Sequence, residues 1–297
     1  MRPSNVVAAA VIALLGLAGC ASPPSAADRG APVAAAAAAP ANTREGVRAQ
    51  FAAIAADRAA LDRLVGARYP QLAGRKRELM VEQTAAMFAS PQFADRVYDF
   101  VAPKMQGRGA MPHGAQAAFQ AELRDQAAAL GMQLSLKGMT RLGAGDQERF
   151  VRHAIGLHRS VDAATCRALI DGKLPATRQQ EIELRYTAAR SDDEFAQSLA
   201  LGRRAMQAEL SDAPPVPKLT QAQVDAAQKA WGRAILARGK APADKGRFDR
   251  VRANAAEASD ADTCWVTLQY LEAMLDLKGA ERQWQLQSYM LDTVSEQ

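Results

Sequence analysis

Residues 146–166 read DQERFVRHAIGLHRSVDAATC, residues 244–264 read DKGRFDRVRANAAEASDADTC, and together these two stretches decide the predicted fold. Aligned without gaps, they are identical at 8 of 21 positions. Unrelated segments would share roughly one or two positions, so we interpret the stretches as two copies of one repeated unit. The identical pairs are Asp146/Asp244, Arg149/Arg247, Phe150/Phe248, Arg152/Arg250, Asp162/Asp260, Ala163/Ala261, Thr165/Thr263 and Cys166/Cys264.

Each copy predicts a helix with the pattern Arg-Phe-x-Arg, a turn, and a second helix that begins Asp-Ala-x-Thr-Cys. Asp162 and Asp260 are predicted to cap the second helices, because an aspartate accepts hydrogen bonds from free amides and interacts favourably with the helix dipole. Phe150 and Phe248 are expected to occupy equivalent positions in the core. The sequence therefore predicts an all-α fold: a multi-helix array with an internally repeated unit.

The remainder of the chain is also typical of helices. Aromatic residues make up only 5% of it, which favours closely packed helices built from Leu, Ala, Met and Val. Apolar spacing predicts a helix over residues 43–66. Ser90 followed by Pro91 predicts the start of a helix that runs to Met105. Residues 264–277 are apolar on nearly all sides, which predicts a helix at the centre of the fold.

A proline-rich segment interrupts the helical pattern at residues 211–218, which read SDAPPVPK. It separates the two copies and divides the helical domain, residues 43–297, into two expected lobes, 43–210 and 219–297. The domain has about 250 residues, enough for one large core or two small ones.

The N-terminus predicts export. Residues 1–19 contain Arg2 and then an apolar run that is too short to span a bilayer. They lead into Leu17-Ala18-Gly19-Cys20, which resembles the lipobox of bacterial lipoproteins. The resemblance implies that residues 1–19 are a signal peptide and that Cys20 is lipidated. The alternative is an ordinary signal peptide followed by a coincidental cysteine.

Residues 20–42 are predicted to be the lipidated cysteine and a disordered tether rich in alanine and proline. As a flexible coil, the tether would span roughly 25 Å. Residue 21 is alanine rather than aspartate, and by analogy with bacterial lipoproteins this favours the outer membrane, facing the periplasm. The lipid would then be the only contact with a membrane.

With Cys20 assigned to lipid, two of the three cysteines remain, Cys166 and Cys264. Two thiols in an oxidising compartment usually pair, so we predict a disulfide between the copies. The alternative is two buried free thiols that pack as small apolar groups.

The charge balance argues against nucleic acid as a partner. Residues 1–19 contain one cation and no acid, which leaves 36 cations against 32 acids, or +4, with no block of like charge. Four arginines recur in the two copies: Arg149, Arg152, Arg247 and Arg250. They could form a symmetric basic patch for an acidic partner, or they could be exposed ion pairs of little energetic value.

The sequence contains no recognisable enzyme motif, and we predict no catalytic residue, cofactor or metal. His153 and His158 are five residues apart, which places them on different helix faces, and His113 is expected in a loop. Glu181, Glu183 and the acids at 192–194 are weak candidates for acid–base chemistry.

Export, two helical copies and mixed surface charge favour a protein-binding module in the periplasm. The most concrete version is an immunity or inhibitor lipoprotein that neutralises a secreted antibacterial effector. The alternatives are a structural lipoprotein that maintains the envelope and, less favoured, a cell-wall hydrolase that uses one buried glutamate.

Overall fold

The computed structural model describes residues 43–105, 130–131 and 133–295. These residues form helices joined by short connections and contain no β-strand, so the predicted all-α class is confirmed. The signal peptide, Cys20, the tether and His113 lie outside the described residues, and their assignments stay predictions.

We number the helices in chain order. They are α1 (Arg44–Ala56), α2 (Arg58–Arg68), α3 (Gly74–Phe88), α4 (Pro91–Met105), α5 (residues 133–139), α6 (Ala144–Arg159), α7 (Ala163–Ile170), α8 (Ala176–Ala188), α9 (Asp192–Leu210), α10 (Gln221–Arg238), α11 (Pro242–Ala253), α12 (Asp260–Asp276) and α13 (Gly279–Ser295).

The described chain divides into two compact units. The smaller unit comprises residues 43–105, 130–131 and 190–199, and the larger unit comprises residues 133–189 and 200–295. This division differs from the expected lobes, because the proline-rich segment lies inside the larger unit, which also contains both copies. The physical reason is that α12 packs against helices from both sides of that segment, namely α6, α7, α10, α11 and α13.

In the smaller unit, the expected helix over residues 43–66 is two helices. Asp57 ends α1 and caps α2, where its carboxylate accepts a hydrogen bond from the Ala60 amide at 2.9 Å. Such competition for backbone amides is the usual reason that aspartate interrupts a helix. The expected start of α4 is confirmed: its first residue is Pro91, and the Phe93 amide donates to the Ser90 hydroxyl at 3.3 Å.

In the larger unit, α6 and α12 supply much of the apolar core, as the pattern over residues 264–277 predicts. Two buried glutamines join α6 to α13: Gln147 donates to the side-chain oxygen of Gln287 at 2.7 Å, and Gln287 donates to the Thr140 carbonyl at 3.0 Å. A buried amide pair with partners for its donors avoids the cost of an unpaired polar group.

Candidate functional site

The segments 146–166 and 244–264, which we continue to call the first and second copy although their common origin stays a prediction, meet at their cysteines. Cys166 in α7 and Cys264 in α12 lie at disulfide-bonding distance, with their Cα atoms 5.8 Å apart. Both residues are buried. The predicted pairing is confirmed, and it joins two helices of the larger unit.

Arg167, next to the first cysteine, strengthens the same junction. Its guanidinium donates to the Thr263 hydroxyl at 2.8 Å and to the carbonyls of Ala255 and Ala258 at 3.1 and 3.3 Å. It also pairs with Asp171 at 2.8 Å. The planar fork of arginine allows one side chain to hold several acceptors at once. The sequence comparison did not identify this residue, because the second copy has Trp265 at the equivalent position.

In the second copy, both candidate arginines share one acid. Arg247 and Arg250 contact the two carboxylate oxygens of Asp262 at 2.8 and 2.9 Å. Together they hold the pKa of the Asp262 carboxyl below its usual range. The Arg247 guanidinium also lies over the Trp265 ring, 4.4 Å from its centroid, so this arginine is partly covered.

In the first copy, the candidate arginines use two acids, and each acid has a further arginine. Asp146 accepts from Arg149 at 2.8 Å and from Arg204 of α9 at 2.7 Å. Sequence reasoning did not identify Arg204, since it lies 58 residues away in the chain.

The second acid of α6 repeats this arrangement. Glu148 contacts Arg152 at 2.6 Å and Arg282 of α13 at 3.1 Å. Four guanidinium groups thus surround two carboxylates on one face of the larger unit. We call Asp146, Glu148, Arg149, Arg152, Arg204 and Arg282 the α6 arginine patch.

Solvent exposure within the α6 arginine patch is uneven. The side chains of Asp146 and Glu148 are 19% and 20% exposed, whereas those of Arg149 and Arg152 are 63% and 60% exposed. The part of these side chains that faces solvent therefore belongs mainly to the arginines, although each positive charge has an acidic neighbour.

A buried acid and base also lie in the larger unit. Glu183 of α8 is completely buried, and its Oε1 shares a hydrogen bond with Nε2 of His153 in α6. Burial raises the pKa of the Glu183 carboxyl, and the nearby His153 opposes that shift. The other carboxylate oxygen, Oε2, has no hydrogen-bond partner among the described residues.

Packing closes the surroundings of this pair. The Tyr186 ring lies edge-on to His153 with centroids 5.1 Å apart. The Tyr186 hydroxyl reaches Gly156, where an added Cβ would lie 1.9 Å from it. His158 points elsewhere: its Nδ1 contacts the Ala154 carbonyl at 2.7 Å.

The other acids considered for chemistry occupy ordinary positions. Glu181 is exposed and pairs with Arg178 at 2.8 Å, and residues 192–194 form the first turn of α9. The part of the chain that the structure describes contains no group of three or more His, Cys, Asp or Glu residues that could hold a metal ion. None of the described helices has both the length and the apolar character that crossing a membrane requires.

No protein-family model matches the chain, and the comparisons with curated proteins and with solved structures found no match either.

Proposed function

We propose that the chain is a lipoprotein anchored through Cys20 at the periplasmic side of the outer membrane, where its helical domain binds a protein partner. In its most concrete form, the proposal is an immunity or inhibitor protein that neutralises a secreted antibacterial effector. The observation that carries the binding role is the exposure of Arg149 and Arg152, whose acidic neighbours are mostly covered.

This observation favours binding for an energetic reason. An exposed ion pair contributes little to the stability of the fold. The stability of such pairs therefore does not account for several arginines on one face. Arginine is enriched at protein interfaces, where its fork of donors pairs with partner carboxylates. The patch is therefore better suited to recognition than to holding the fold together.

The less favoured alternative, a cell-wall hydrolase, would have Glu183 as its acid. A raised pKa is what a general acid needs at neutral pH. However, Glu183 is completely buried, and Tyr186 and Gly156 close the space beside its partner His153. This burial supports a structural role for the pair.

Deleting the gene and exposing the cells to effector-bearing siblings tests the immunity proposal. We expect survival to fall, and to recover when the intact gene is returned. Unaltered survival would count against immunity.

Two further readouts separate the alternatives. Envelope defects in the deletion strain without any competitor would favour the structural lipoprotein. Turnover of purified sacculi by the full chain, abolished in Glu183→Gln, would favour the hydrolase.

A further inference from the structure

We infer that the α6 arginine patch is the binding surface and that it takes a protein segment rich in aspartate and glutamate. This inference rests on the proposed binding function and adds to it the surface and the chemistry of the partner. It also gives the two copies different roles: the arginines of the first copy recognise the partner, and the arginine pair of the second copy has a structural role.

The order of side chains around α6 defines the patch. At about 100° per residue, Glu148, Arg152, Arg149 and Asp146 follow one another around the exposed side in steps of about 40° to 60°. Arg282 pairs with the acid at one edge, and Arg204 pairs with the acid at the other. The two most exposed arginines are therefore adjacent at the centre.

Hydrogen-bonding capacity remains at that centre. Each guanidinium has five N–H donors, and the structure assigns one of those of Arg149 to Asp146 and two of those of Arg152 to Glu148. The exposed parts of these two side chains can therefore donate to carboxylates of a partner without losing the contacts that orient them.

The second copy lacks this capacity. Arg247 is partly covered by Trp265 and also donates to the Ala261 carbonyl at 3.0 Å, so its donors serve the fold. Of the two motif arginines in this copy, only Arg250 is largely exposed, with 60% of its side chain accessible. The motif of the second copy therefore presents one largely exposed guanidinium, whereas that of the first copy presents two.

The mixture of charges favours a protein over a membrane or a nucleic acid. Basic surfaces that bind anionic lipids or a phosphate backbone gather cations without interleaved acids. Here one acid lies on each side of the central arginines, and each acid also pairs with an outer arginine. Such a pattern accepts discrete carboxylates at set positions and opposes a continuous layer of negative charge.

The test compares two double variants of the full chain, each of which replaces two arginines with glutamate. Arg149→Glu with Arg152→Glu changes the patch, and Arg247→Glu with Arg250→Glu changes the second copy by the same charge. The probe is a fluorescent 12-residue peptide of alternating Asp and Glu, with an Asn/Gln peptide of equal length as its control. Binding is followed by fluorescence anisotropy at low and moderate salt, and circular dichroism checks that each variant is folded.

We expect the acidic peptide to bind the wild-type chain and the Asn/Gln peptide not to bind. The patch variant should lose at least about ten-fold in affinity, whereas the second-copy variant should stay within about two-fold. Equal losses in the two variants, or binding that neither variant weakens, would overturn the assignment. If the patch variant is unfolded, Arg149→Gln with Arg152→Gln replaces it, and the same comparison decides.

A second arm tests lipid as the source of the negative charge. Flotation with phosphatidylglycerol and phosphatidylcholine vesicles compares the wild-type chain with the patch variant. We expect no dependence on Arg149 and Arg152, because a surface that includes Asp146 and Glu148 is poorly suited to a continuous anionic lipid layer. Retention on phosphatidylglycerol that falls in the patch variant alone would contradict a protein partner.

The inference and the proposed function can fail separately. If gene deletion lowers survival and the patch variant restores survival fully, the protective role is retained and the assignment of the binding surface is rejected. Peptide binding that depends on Arg149 and Arg152, in a chain whose deletion has no effect on survival, would retain the surface and reject immunity.

Discussion

The first and second copies place the same short motif in opposite surroundings. In the first copy, the Arg-Phe-x-Arg helix α6 is long and central, and the helix that carries Cys166 has 8 residues. In the second copy, the Arg-Phe-x-Arg helix α11 has Val251 as its only buried residue, and the helix that carries Cys264 has 17 residues. The burial of a motif residue therefore follows from which helix of its copy enters the core.

Two expectations of equivalence are wrong. Phe150 is fully buried, whereas Phe248 is half-buried and packs against the rings of Trp265 and Tyr270. Asp162 caps α7, but α12 begins one residue earlier than expected, with Ser259 as its cap and Asp260 inside its first turn. The repeat itself stays a prediction.

Breaking the disulfide should have the largest effect, because it removes the covalent link between the copies. The cysteines are 98 residues apart in the chain. Closing such a loop contributes about 4 to 5 kcal/mol in the chain-entropy model, so we expect a loss of that order in Cys166→Ala with Cys264→Ala. Urea unfolding measures it, and wild-type protein in reductant is the control. Finding two free thiols by mass spectrometry of the untreated protein would contradict the pairing.

The second largest effect should be a difference in stability between alanine variants of Phe150 and Phe248. Phe150→Ala should cost about 3 to 5 kcal/mol, because it leaves a cavity in a fully buried site. Phe248→Ala should cost about 1 to 2 kcal/mol, because solvent already reaches part of the ring. Denaturant unfolding of the two variants gives the difference directly. Equal losses would show that the two positions are equivalent after all.

The buried pair of His153 and Glu183 should make stability depend on pH, and the second copy has no histidine at the position equivalent to His153. The residue equivalent to His153 is Val251, so His153→Val imitates the second copy and leaves Glu183 without its basic neighbour. Removing one partner of a buried pair costs about 3 kcal/mol or more. Because burial raises the folded-state pKa of Glu183 above its unfolded value, the stability contributed by its neutral form is present at acidic pH and lost as pH rises through the folded pKa.

Unfolding free energies from pH 4 to pH 8 measure this effect. We expect His153→Val to become less stable relative to wild type as pH rises. Adding Glu183→Gln should abolish that trend, since glutamine does not ionise. A destabilisation that stays constant with pH would show that Glu183 is not the group responsible.

The smallest difference should come from the helix caps. The Asp162 carboxylate accepts from the Thr165 amide at 2.9 Å, and the Ser259 hydroxyl accepts from the Asp262 amide at 3.1 Å. Asp162→Ala and Ser259→Ala should each lower Tm by about 2 to 4 °C. Asp260→Ala should change Tm by less, since Asp260 follows the cap. A thermal scan in which Asp260→Ala has the larger effect would reverse this order.

Local sequence signals predict the structure correctly where short-range chemistry determines the outcome. Ser90 and Pro91 start α4 because capping and a fixed proline φ act over a few residues. The disulfide could be predicted because the predicted export to an oxidising compartment, with Cys20 assigned to lipid, leaves one pairing. By contrast, Asp57 ends α1 within an unbroken apolar pattern, since its carboxylate favours the Ala60 amide over continuation of the helix.

The contacts that build the candidate site lay beyond sequence reasoning. Arg204 and Arg282 come from helices far along the chain, and only packing brings them to the two acids of α6. In the sequence, nothing distinguishes Glu183 from the other acids considered for acid–base chemistry. Its burial against His153 depends on how α8 packs beside α6.

By itself, the sequence determined the all-α class and the cysteine pairing, and it predicted export. These follow from composition, short-range capping and the number of thiols, none of which requires knowing which helices touch. Only the tertiary structure decided that the first copy enters the core through α6 and the second through α12, and hence that Arg149 and Arg152 face solvent while Arg247 is partly covered. The reason is that burial and charge pairing belong to helices in contact, and identical motifs do not specify their neighbours.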